Sequence, residues 1–405
     1  MKPSVFNHII RRRGRPQLLY NSRRQQLLEL DATDAAIYGG LAVPITRNLM
    51  NLKDPAVERL LQKLHSLGFF IEDEVSEALE MEVLAENRRF DHRRLHLWIQ
   101  ATTRCEEDCL HCPYRDSAAD IDPAVLENLA ALVAREASVL SELKITWFGG
   151  EPTLNWEAVS RFLQNLRQCS QQAGFKFHWS IISNGRSQHL KTIAIDPERP
   201  QILWINLSTL DSSEFDAPST VMLTDFPSWI QNELKLPPRT GLLFLPHRPD
   251  KNLCRNLYGL CRATPEYSDE EFEIMRQAIA KGYRLQNLPR SKILPCPAVD
   301  ARSFIIDVRG NLYKCWQTFG QPQKGVPSLD DQLHPNFIRW LDWNPFRQYH
   351  CRNCNILPWC LGGCRAKSQD EECGLWRYSL REMLKLVALA LTEAGPADLS
   401  PEAQS

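Results

Sequence analysis

The chain has 405 residues, of which 43% are apolar, so it is long enough for two or three domains with a sizeable core. Its formal net charge of −1 excludes a general electrostatic attraction to nucleic acid, and the lack of any run of about 18 apolar residues predicts no membrane span. The first residues lack the apolar segment of an export signal, so we expect a cytoplasmic protein whose 13 cysteines bind metal rather than form disulfides.

The first 90 residues are predicted to form a small domain of strands followed by helices. Three apolar runs are typical of strands: residues 6–10, 17–21 and 27–30. Asp31 is a candidate cap for a helix that begins near Ala32, and residues 54–64 carry apolar side chains at helical spacing before Gly68. This segment is either a binding domain or a plain cap on the rest of the chain.

Strand and helix patterns then alternate, which argues for parallel β/α units. The predicted strands lie at residues 95–101, 143–148, 177–182, 202–207 and 242–245. The predicted helices among them lie at residues 124–137 and 156–169. Residues 250–375 break the alternation because they are rich in cysteine, and helices are predicted there only at 269–281 and, beyond them, at 380–391. The sequence therefore predicts an α/β fold with a cysteine-rich extension.

Three cysteines follow the first strand of the alternating region. Cys105, Cys109 and Cys112 have the spacing C-x3-C-x2-C. A cubane iron–sulfur cluster held by three thiolates keeps one iron open for another ligand. Zinc is the alternative, but zinc sites favour paired C-x2-C ligands with a fourth ligand nearby, and His111 is too close to Cys112 to serve comfortably.

The ends of the next two predicted strands carry residues suited to a polar ligand. The two segments contain Gly149, Gly150, Glu151 and Pro152, and then Ser183 and Asn184. Glycines let a backbone approach a ligand closely, and the carboxylate of Glu151 suits a cationic amine. Serine and asparagine side chains both donate and accept hydrogen bonds. Taken singly, each segment could also be an ordinary turn.

In this order the three motifs resemble those of the radical S-adenosylmethionine (SAM) enzymes. The resemblance implies a partial (β/α)6 barrel in which a 4Fe–4S cluster on the three cysteines binds and reduces SAM to release a 5'-deoxyadenosyl radical. It further implies that the Gly-Gly-Glu-Pro segment holds the SAM amino group and that Ser183 and Asn184 contact the ribose. The segment Ser208-Thr209-Leu210-Asp211 departs from the family pattern, so no partner for the SAM carboxylate is assigned.

A second cysteine array lies in the C-terminal third of the chain. It consists of Cys296 and Cys315 in the pattern C-x13-G-x4-C, then Cys351, Cys354, Cys360, Cys364 and Cys373. The array resembles the SPASM extension, which implies two auxiliary 4Fe–4S clusters. By that resemblance the outer cluster would use Cys351, Cys354, Cys360 and Cys373. The inner cluster would use Cys296, Cys315 and Cys364, with Cys261 or Cys254 as a fourth ligand or with an open iron. A double zinc site is the alternative.

The two resemblances together predict a radical SAM maturase of ribosomally made peptides. Residues 1–90 resemble winged-helix-like leader-recognition domains, residues 91–250 would form the barrel, 251–375 the bridging and SPASM regions, and 376–405 a helix and tail. A precursor peptide would be bound through its leader, a flavodoxin or ferredoxin would supply electrons, and neither nucleic acid nor membrane would be a partner. We expect an oxidative crosslink, since Trp316 stands where sulfatase maturases carry an aspartate. Sulfatase-maturase-like oxidation, peptide epimerisation, and a non-catalytic zinc or electron-transfer protein are the alternatives.

Overall fold

The computed structural model describes residues 1–106, 118–184, 202–206, 219–223, 241–244, 265–285, 288–329, 333–366 and 369–394. The predicted ligands Cys109, Cys112, Cys254 and Cys261 lie outside these residues, as does the segment 208–211. None of the helices in the described part of the chain has the length and apolar character needed to span a bilayer.

The N-terminal region contains the three predicted strands. Its strands are β1 (Lys2–Pro3), β2 (Asn7–Ile10), β3 (Gln17–Asn21) and β4 (Gln26–Leu30). β2, β3 and β4 pair antiparallel in that order, so β4 is an edge of this sheet among the described residues. Leu19 and Leu28 face one side of the sheet, and Leu18 and Tyr20 face the other, because successive strand residues point to opposite faces.

Helices α1 (Ala32–Ala42) and α3 (Pro55–Ser66) cover the first of these faces, where Leu41 and Leu60 join the same core as Leu19. Helix α2 (Pro44–Leu49) lies between them in the chain, and β5 (Phe70–Ile71), which pairs with β1, and α4 (Glu77–Arg89) follow. Asp31 caps α1 as predicted, because its carboxylate accepts a hydrogen bond from the Asp34 N–H at 2.8 Å. Asp54 caps α3 in the same way, and Pro55 follows at the first helical position, where its missing N–H costs nothing.

A nine-stranded sheet forms the body of the described structure. Its strands are β6 (Arg94–Thr102), β7 (Glu142–Gly149), β8 (Lys176–Ser183), β9 (Ile202–Asn206), β10 (Ser219–Leu223), β11 (Gly241–Phe244), β12 (Arg284–Leu285), β13 (Ser303–Ile306) and β14 (Leu312–Tyr313). Three α-helices that the structure describes lie between these strands in the chain: α5 (Pro123–Glu136), α6 (Trp156–Ala173) and α7 (Pro265–Ala280). Strands β6 to β12 lie side by side in chain order and run parallel. This confirms the predicted parallel α/β architecture.

The sequence did not predict that the sheet continues on the other side of β6. There β13 pairs parallel with β6, and β14 pairs antiparallel with β13. A hairpin from the cysteine-rich region therefore extends the sheet of the alternating region. Phe304 and Ile306 of this hairpin join the same apolar core as the helices α5 and α6.

Alternation along β6 divides the two faces of the sheet. Leu97 and Ile99 face the core shared with α5 and α6. Trp98 belongs instead to an aromatic cluster on the opposite face, together with Phe148 and Tyr313. We call this opposite face the inner face. Helices therefore pack on one face of the sheet, and aromatic side chains cover the inner face.

The remaining α-helices among the described residues are α8 (Pro335–Leu341), α9 (Tyr349–Arg352), α10 (Leu357–Cys360) and α11 (Gln369–Ala394). Helix α11 begins before the predicted domain boundary at residue 376 and contains Cys373. It packs against α7 and against the second face of the N-terminal sheet, where Ile10, Leu18 and Tyr20 contribute to the same core as Met383. The N-terminal region is therefore built onto the C-terminal helices rather than set apart from them.

Candidate functional site

The segment that leads to Cys105 is fixed by the end of the neighbouring strand β7. The Gly150 N–H donates to the Thr102 carbonyl oxygen at 2.9 Å, and the Glu151 N–H donates to the Arg104 carbonyl oxygen at 2.7 Å. The two backbones are in contact at Gly149 and Gly150. An ideal Cβ on Gly149 would lie 2.1 Å from the Thr102 carbonyl oxygen, and one on Gly150 would lie 2.1 Å from the Arg104 carbonyl oxygen. Both positions therefore require glycine, and Gly149 also has a φ of +149°. The motif predicts that the glycines admit a ligand, whereas in the structure their close neighbour is the segment that leads to Cys105.

Glu151 joins this segment to the end of the third strand, β8. Its side chain is 0% exposed, and its carboxylate accepts hydrogen bonds from the Thr153 N–H and hydroxyl at 3.1 and 2.6 Å. It also accepts from the Ser183 hydroxyl at 3.0 Å and from the Asn184 N–H at 2.7 Å. Burial raises the pKa of Glu151, and these hydrogen bonds oppose the rise because they stabilise the ionised form.

The structure thus brings the motifs at three strand ends together at Glu151, whose backbone N–H bonds to Arg104 and whose carboxylate bonds to Ser183 and Asn184. Glu151 therefore has a positioning role inside the protein, whereas its motif predicts only an external amine as the carboxylate's partner. The signal was present in the strand order, since the ends of neighbouring parallel strands meet at the same edge of a sheet. Pro152 begins a short 3-10 helix, Pro152–Asn155, and is buried.

A second missed contact holds the same segment from the side. The Arg104 guanidinium makes two hydrogen bonds to the Asp120 carboxylate, at 2.9 and 2.8 Å, and a third at 2.9 Å to the Leu154 carbonyl oxygen. The Thr102 hydroxyl donates to the same Asp120 carboxylate at 2.7 Å. Cys105, the one predicted SAM-cluster ligand within the described residues, is partly exposed at the end of this braced segment.

The cysteines of the second array that the structure describes are thiols rather than disulfides. Within the described residues, no three side chains of His, Cys, Asp or Glu come close enough together to hold a single metal ion. A cubane cluster places its thiolates on different irons, so it needs a wider arrangement than one ion does. The ligand assignments made from sequence therefore remain predictions.

Cys296 sits where backbone donors can stabilise a thiolate. It is the residue before the short 3-10 helix Pro297–Val299. Burial raises the pKa of the Cys296 thiol, while backbone hydrogen bonds from Ala298 and Val299 and the positive charge of Lys292 and Lys314 lower it. Burial is the largest of these effects, so the pKa of Cys296 is raised on balance, and metal coordination would have to displace the thiol proton.

The loop between Cys360 and Cys364 has an unusual backbone. Leu361, Gly362 and Gly363 all adopt left-handed conformations, with φ of 46°, 79° and 73°. A leucine in this region is costly and persists only when its surroundings enforce it, which is common at functional sites. Gly362 is also confined, because a Cβ there would lie 2.6 Å from the side chain of Pro345. The chain therefore reverses tightly between two predicted cluster ligands.

We call residues 351–364, which carry four of the predicted ligands, the cysteine loop, and the N-terminal sheet contacts this loop directly. The His8 ring stacks on Trp359 with centroids 5.7 Å apart, and its Nε2 lies 3.1 Å from the Asn355 carbonyl oxygen. The Ser22 hydroxyl donates to the same oxygen at 3.0 Å. A carbonyl can only accept, so Nε2 carries the proton of a neutral His8. Burial lowers the pKa of His8 to about 4.

Comparisons with known proteins show what fold this is. Neither protein-family models nor curated proteins give a match. Among solved structures, native anSMEcpe with bound AdoMet and Kp18Cys peptide is similar with a TM-score of 0.51 at 13% identity, over 73% of this chain and 99% of that one. Hexahistidine-tagged anSMEcpe with bound AdoMet has a TM-score of 0.51 at 14% identity, over 74% and 99%.

Streptococcus suis SuiB bound to S-adenosylmethionine matches over 90% of this chain and 95% of SuiB at 14% identity, with a TM-score of 0.44 that is too low to show a shared fold. The two anSMEcpe comparisons show a shared fold. They confirm, at the level of architecture, the resemblance predicted from the cysteine motifs.

Proposed function

We propose that this chain is a radical SAM enzyme that modifies a ribosomally made peptide. The observation that carries the proposal is the hydrogen-bonded junction at the strand ends, where Glu151 connects the segment before Cys105 with Ser183 and Asn184. The fold supports it, because it is shared with a protein whose structure holds AdoMet and a peptide.

The residues present suit the cofactors that the resemblance implies. Cys105, Cys109 and Cys112 would hold the 4Fe–4S cluster that binds SAM, since three thiolates leave one iron for an external ligand. When bound, the cluster and SAM together would supply a carbon radical that can remove a hydrogen atom from an unactivated carbon.

The chain's own contribution at this site is to fix the strand ends. The hydrogen bond between the Gly150 and Thr102 backbones fixes the segment before Cys105 against the end of β7. The Arg104–Asp120 pair fixes the same segment from its other side. Glu151 locks the Ser183 hydroxyl and the Asn184 backbone beside it. A site held in this way needs little rearrangement when a ligand arrives, which is the usual requirement for precise chemistry.

We further propose that the second cysteine array holds two auxiliary 4Fe–4S clusters. The outer ligands would be Cys351, Cys354, Cys360 and Cys373, and the inner ligands Cys296, Cys315 and Cys364, with Cys261 as the candidate fourth. An oxidative crosslink removes two electrons from the peptide, and the radical step accounts for one of them. These clusters would receive the other.

The N-terminal region would recruit the precursor by its leader. β4 is an edge strand of the three-stranded sheet, whereas β2 contacts α11. An exposed edge offers unpaired backbone groups to which an extended peptide can add as another strand. We propose β4 as that edge. A flavodoxin or ferredoxin would be the electron donor.

The test begins with anaerobic purification and reconstitution, followed by measurement of iron, sulfide and 5'-deoxyadenosine released from SAM. We expect about twelve irons per chain for three clusters. Cys109→Ala should abolish SAM cleavage and retain about eight irons, whereas Cys169→Ala should change neither value, since Cys169 lies in α6 against the outer core. Zinc in place of iron, with no SAM cleavage, would refute the proposal in favour of a metal-stabilised binding protein.

The bond type is decided by the mass of the modified peptide. A crosslink removes two hydrogen atoms from the peptide, whereas epimerisation leaves its mass unchanged apart from solvent exchange. Sulfatase-type oxidation of a single residue also removes two hydrogens but leaves no link between residues, so fragmentation spectra separate it from a crosslink.

A further inference from the structure

The inner face of the sheet carries an aromatic wall, formed by Trp98, Phe148, Tyr313, Trp316 and Phe319. Phe148 and Trp316 meet edge to face with centroids 4.7 Å apart, and Trp98 meets Trp316 at 5.6 Å in the same geometry. Phe319 lies 5.4 Å from Phe148 and 5.3 Å from Tyr313. The wall is thus one continuous set of ring contacts from β6 and β7 to the segment after β14.

The wall lies between the two regions that carry the predicted chemistry. Phe148 directly precedes Gly149, whose neighbour Gly150 anchors the segment before Cys105. Trp316 directly follows Cys315, a predicted ligand of the inner auxiliary cluster. A peptide that passes from one region to the other would meet these rings.

Two of the wall residues are not fully enclosed. Trp98, Phe148 and Tyr313 are buried, as expected of side chains that fill a barrel. Trp316 and Phe319 are only partly buried. The wall therefore has an open side at Trp316, whereas a purely space-filling cluster would be closed.

A hydrogen-bond donor without a partner stands next to the wall. Gln100 is 2% exposed and pairs in register with Phe148 across β6 and β7. Its Oε1 accepts from the Val308 N–H at 3.3 Å. Its buried Nε2 makes no hydrogen bond within the part of the chain that the structure describes. A buried donor without a partner is destabilising, so its retention favours an acceptor that a ligand supplies.

We propose that the aromatic wall and Gln100 form the subsite for an aromatic side chain of the peptide substrate, with Gln100 Nε2 donating to a backbone carbonyl oxygen of that peptide. This assignment rests on the proposed function. The open edge of Trp316 gives an incoming ring the edge-to-face contact that aromatic pairs prefer. A carboxylate would lose its water there and gain no oppositely charged partner, because none of the wall residues is charged and Gln100 is neutral.

The experiment measures binding of short capped peptides to the full-length reconstituted chain by ligand-observed saturation-transfer NMR. The probes are Ac-Gly-Trp-Gly-NH2, Ac-Gly-Leu-Gly-NH2 and Ac-Gly-Asp-Gly-NH2. We expect the tryptophan peptide to bind about tenfold more tightly than the aspartate peptide. Trp316→Ala should remove that preference, and Trp316→Phe should keep most of it.

Gln100→Leu should weaken binding of the tryptophan and leucine peptides alike, by about fivefold, because it removes a contact to the peptide backbone. Gln62→Leu is the matched control, since Gln62 is exposed on α3. If Gln100→Leu fails to fold, Trp316→Ala still decides the question, because Trp316 is partly exposed.

Equal binding of the three peptides, binding of none, or an unchanged preference in Trp316→Ala would overturn the subsite. The same preparations are assayed for 5'-deoxyadenosine release from SAM without peptide. SAM cleavage without selective binding refutes the subsite alone, whereas selective binding without SAM cleavage refutes the proposed function alone.

Discussion

At the scale of single residues, the site depends on side chains whose partners are inside the protein. Glu151 is the clearest example, because four donors from three residues converge on one buried carboxylate. The sequence motif predicts that Glu151 binds a ligand, whereas in the structure its carboxylate links the end of β7 to the end of β8. Changes at such a position should therefore alter stability as well as activity.

Glu151→Gln should lower the free energy of unfolding by about 2 kcal/mol. The amide nitrogen of glutamine cannot accept, so it would face donors that now bond to an ionised oxygen, and hydrogen bonds to charged groups contribute more than neutral ones. Urea titration followed by circular dichroism measures the change. Glu157→Gln, at an exposed position of α6, should have almost no effect, and equal effects of the two changes would contradict the positioning role.

Gly150→Ala should destabilise the protein by at least about 2 kcal/mol, because its Cβ would lie 2.1 Å from the Arg104 carbonyl oxygen and a backbone cannot move aside cheaply. Gly39→Ala is the matched control. Gly39 lies within α1 with nothing within 4 Å of an added Cβ, so alanine there should stabilise by about 0.5–1 kcal/mol. Thermal unfolding of both variants checks the prediction, and a Gly150→Ala protein as stable as wild type would refute it.

At the scale of elements, local signals predicted most of the helices and strands. The cap at Asp31 and the apolar run at residues 95–101 specify their elements through short-range chemistry, and both are seen. The strand β13 was missed because its apolar run, Ser303–Ile306, is short and its stability comes from pairing with β6, more than two hundred residues earlier. Contacts of that range leave no local pattern in a sequence.

The candidate site shows the same limit. The motif residues could be named from their order, but the Arg104–Asp120 pair could not, since neither residue belongs to a motif. The docking of β2 on the cysteine loop also gave no signal beyond an alternating strand. A local sequence pattern does not indicate which distant residues will be in contact in the folded chain, such as His8 and Asn355.

The docking of β2 should weaken in acid. The pKa of His8 is lowered to about 4 in the fold from an ordinary value of 6.5, so the unfolded state binds the proton more readily. The contribution of neutral His8 is complete above about pH 6.5 and is lost as the pH falls toward 4, by about 3 kcal/mol. Hydrogen–deuterium exchange of residues 7–10 between about pH 7 and pH 4.5 measures this opening.

His8→Phe keeps a ring against Trp359 and removes the titrating group, so exchange in this variant should depend less on pH after correction for intrinsic rates. His65→Phe serves as the control at an exposed position of α3. The same acid sensitivity in His8→Phe and wild type would show that other groups are responsible.

At the scale of the whole molecule, the N-terminal region is held to the C-terminal third by buried polar contacts. The Arg89 guanidinium at the end of α4 donates to the Leu341 carbonyl oxygen at 3.1 Å and to the Trp343 carbonyl oxygen at 2.6 Å. Arg88 forms an ion pair with the buried Asp300 at 2.7 Å. Together with His8 and Ser22, these contacts make the predicted recognition region part of the same core as the cysteine loop.

Arg89→Ala should therefore lower the free energy of unfolding by about 3 kcal/mol, because it leaves two buried carbonyl groups without their donor. Arg161→Ala, which breaks an exposed ion pair on α6, should cost less than about 0.5 kcal/mol. Urea unfolding measures both, with limited proteolysis near residues 90–94 as a second readout. A small, equal loss in the two variants would mean that the regions are only loosely joined.

The shared core of the N-terminal sheet and helix α11 has a consequence for synthesis on the ribosome. The sheet is made first, but Ile10, Leu18 and Tyr20 are fully covered only when residues 369–394 have been translated. During that interval the nascent chain exposes an apolar sheet face of the kind that chaperones bind and that promotes aggregation. We expect residues 1–90 expressed alone to be poorly soluble, so leader-peptide affinities should be measured on the full-length chain.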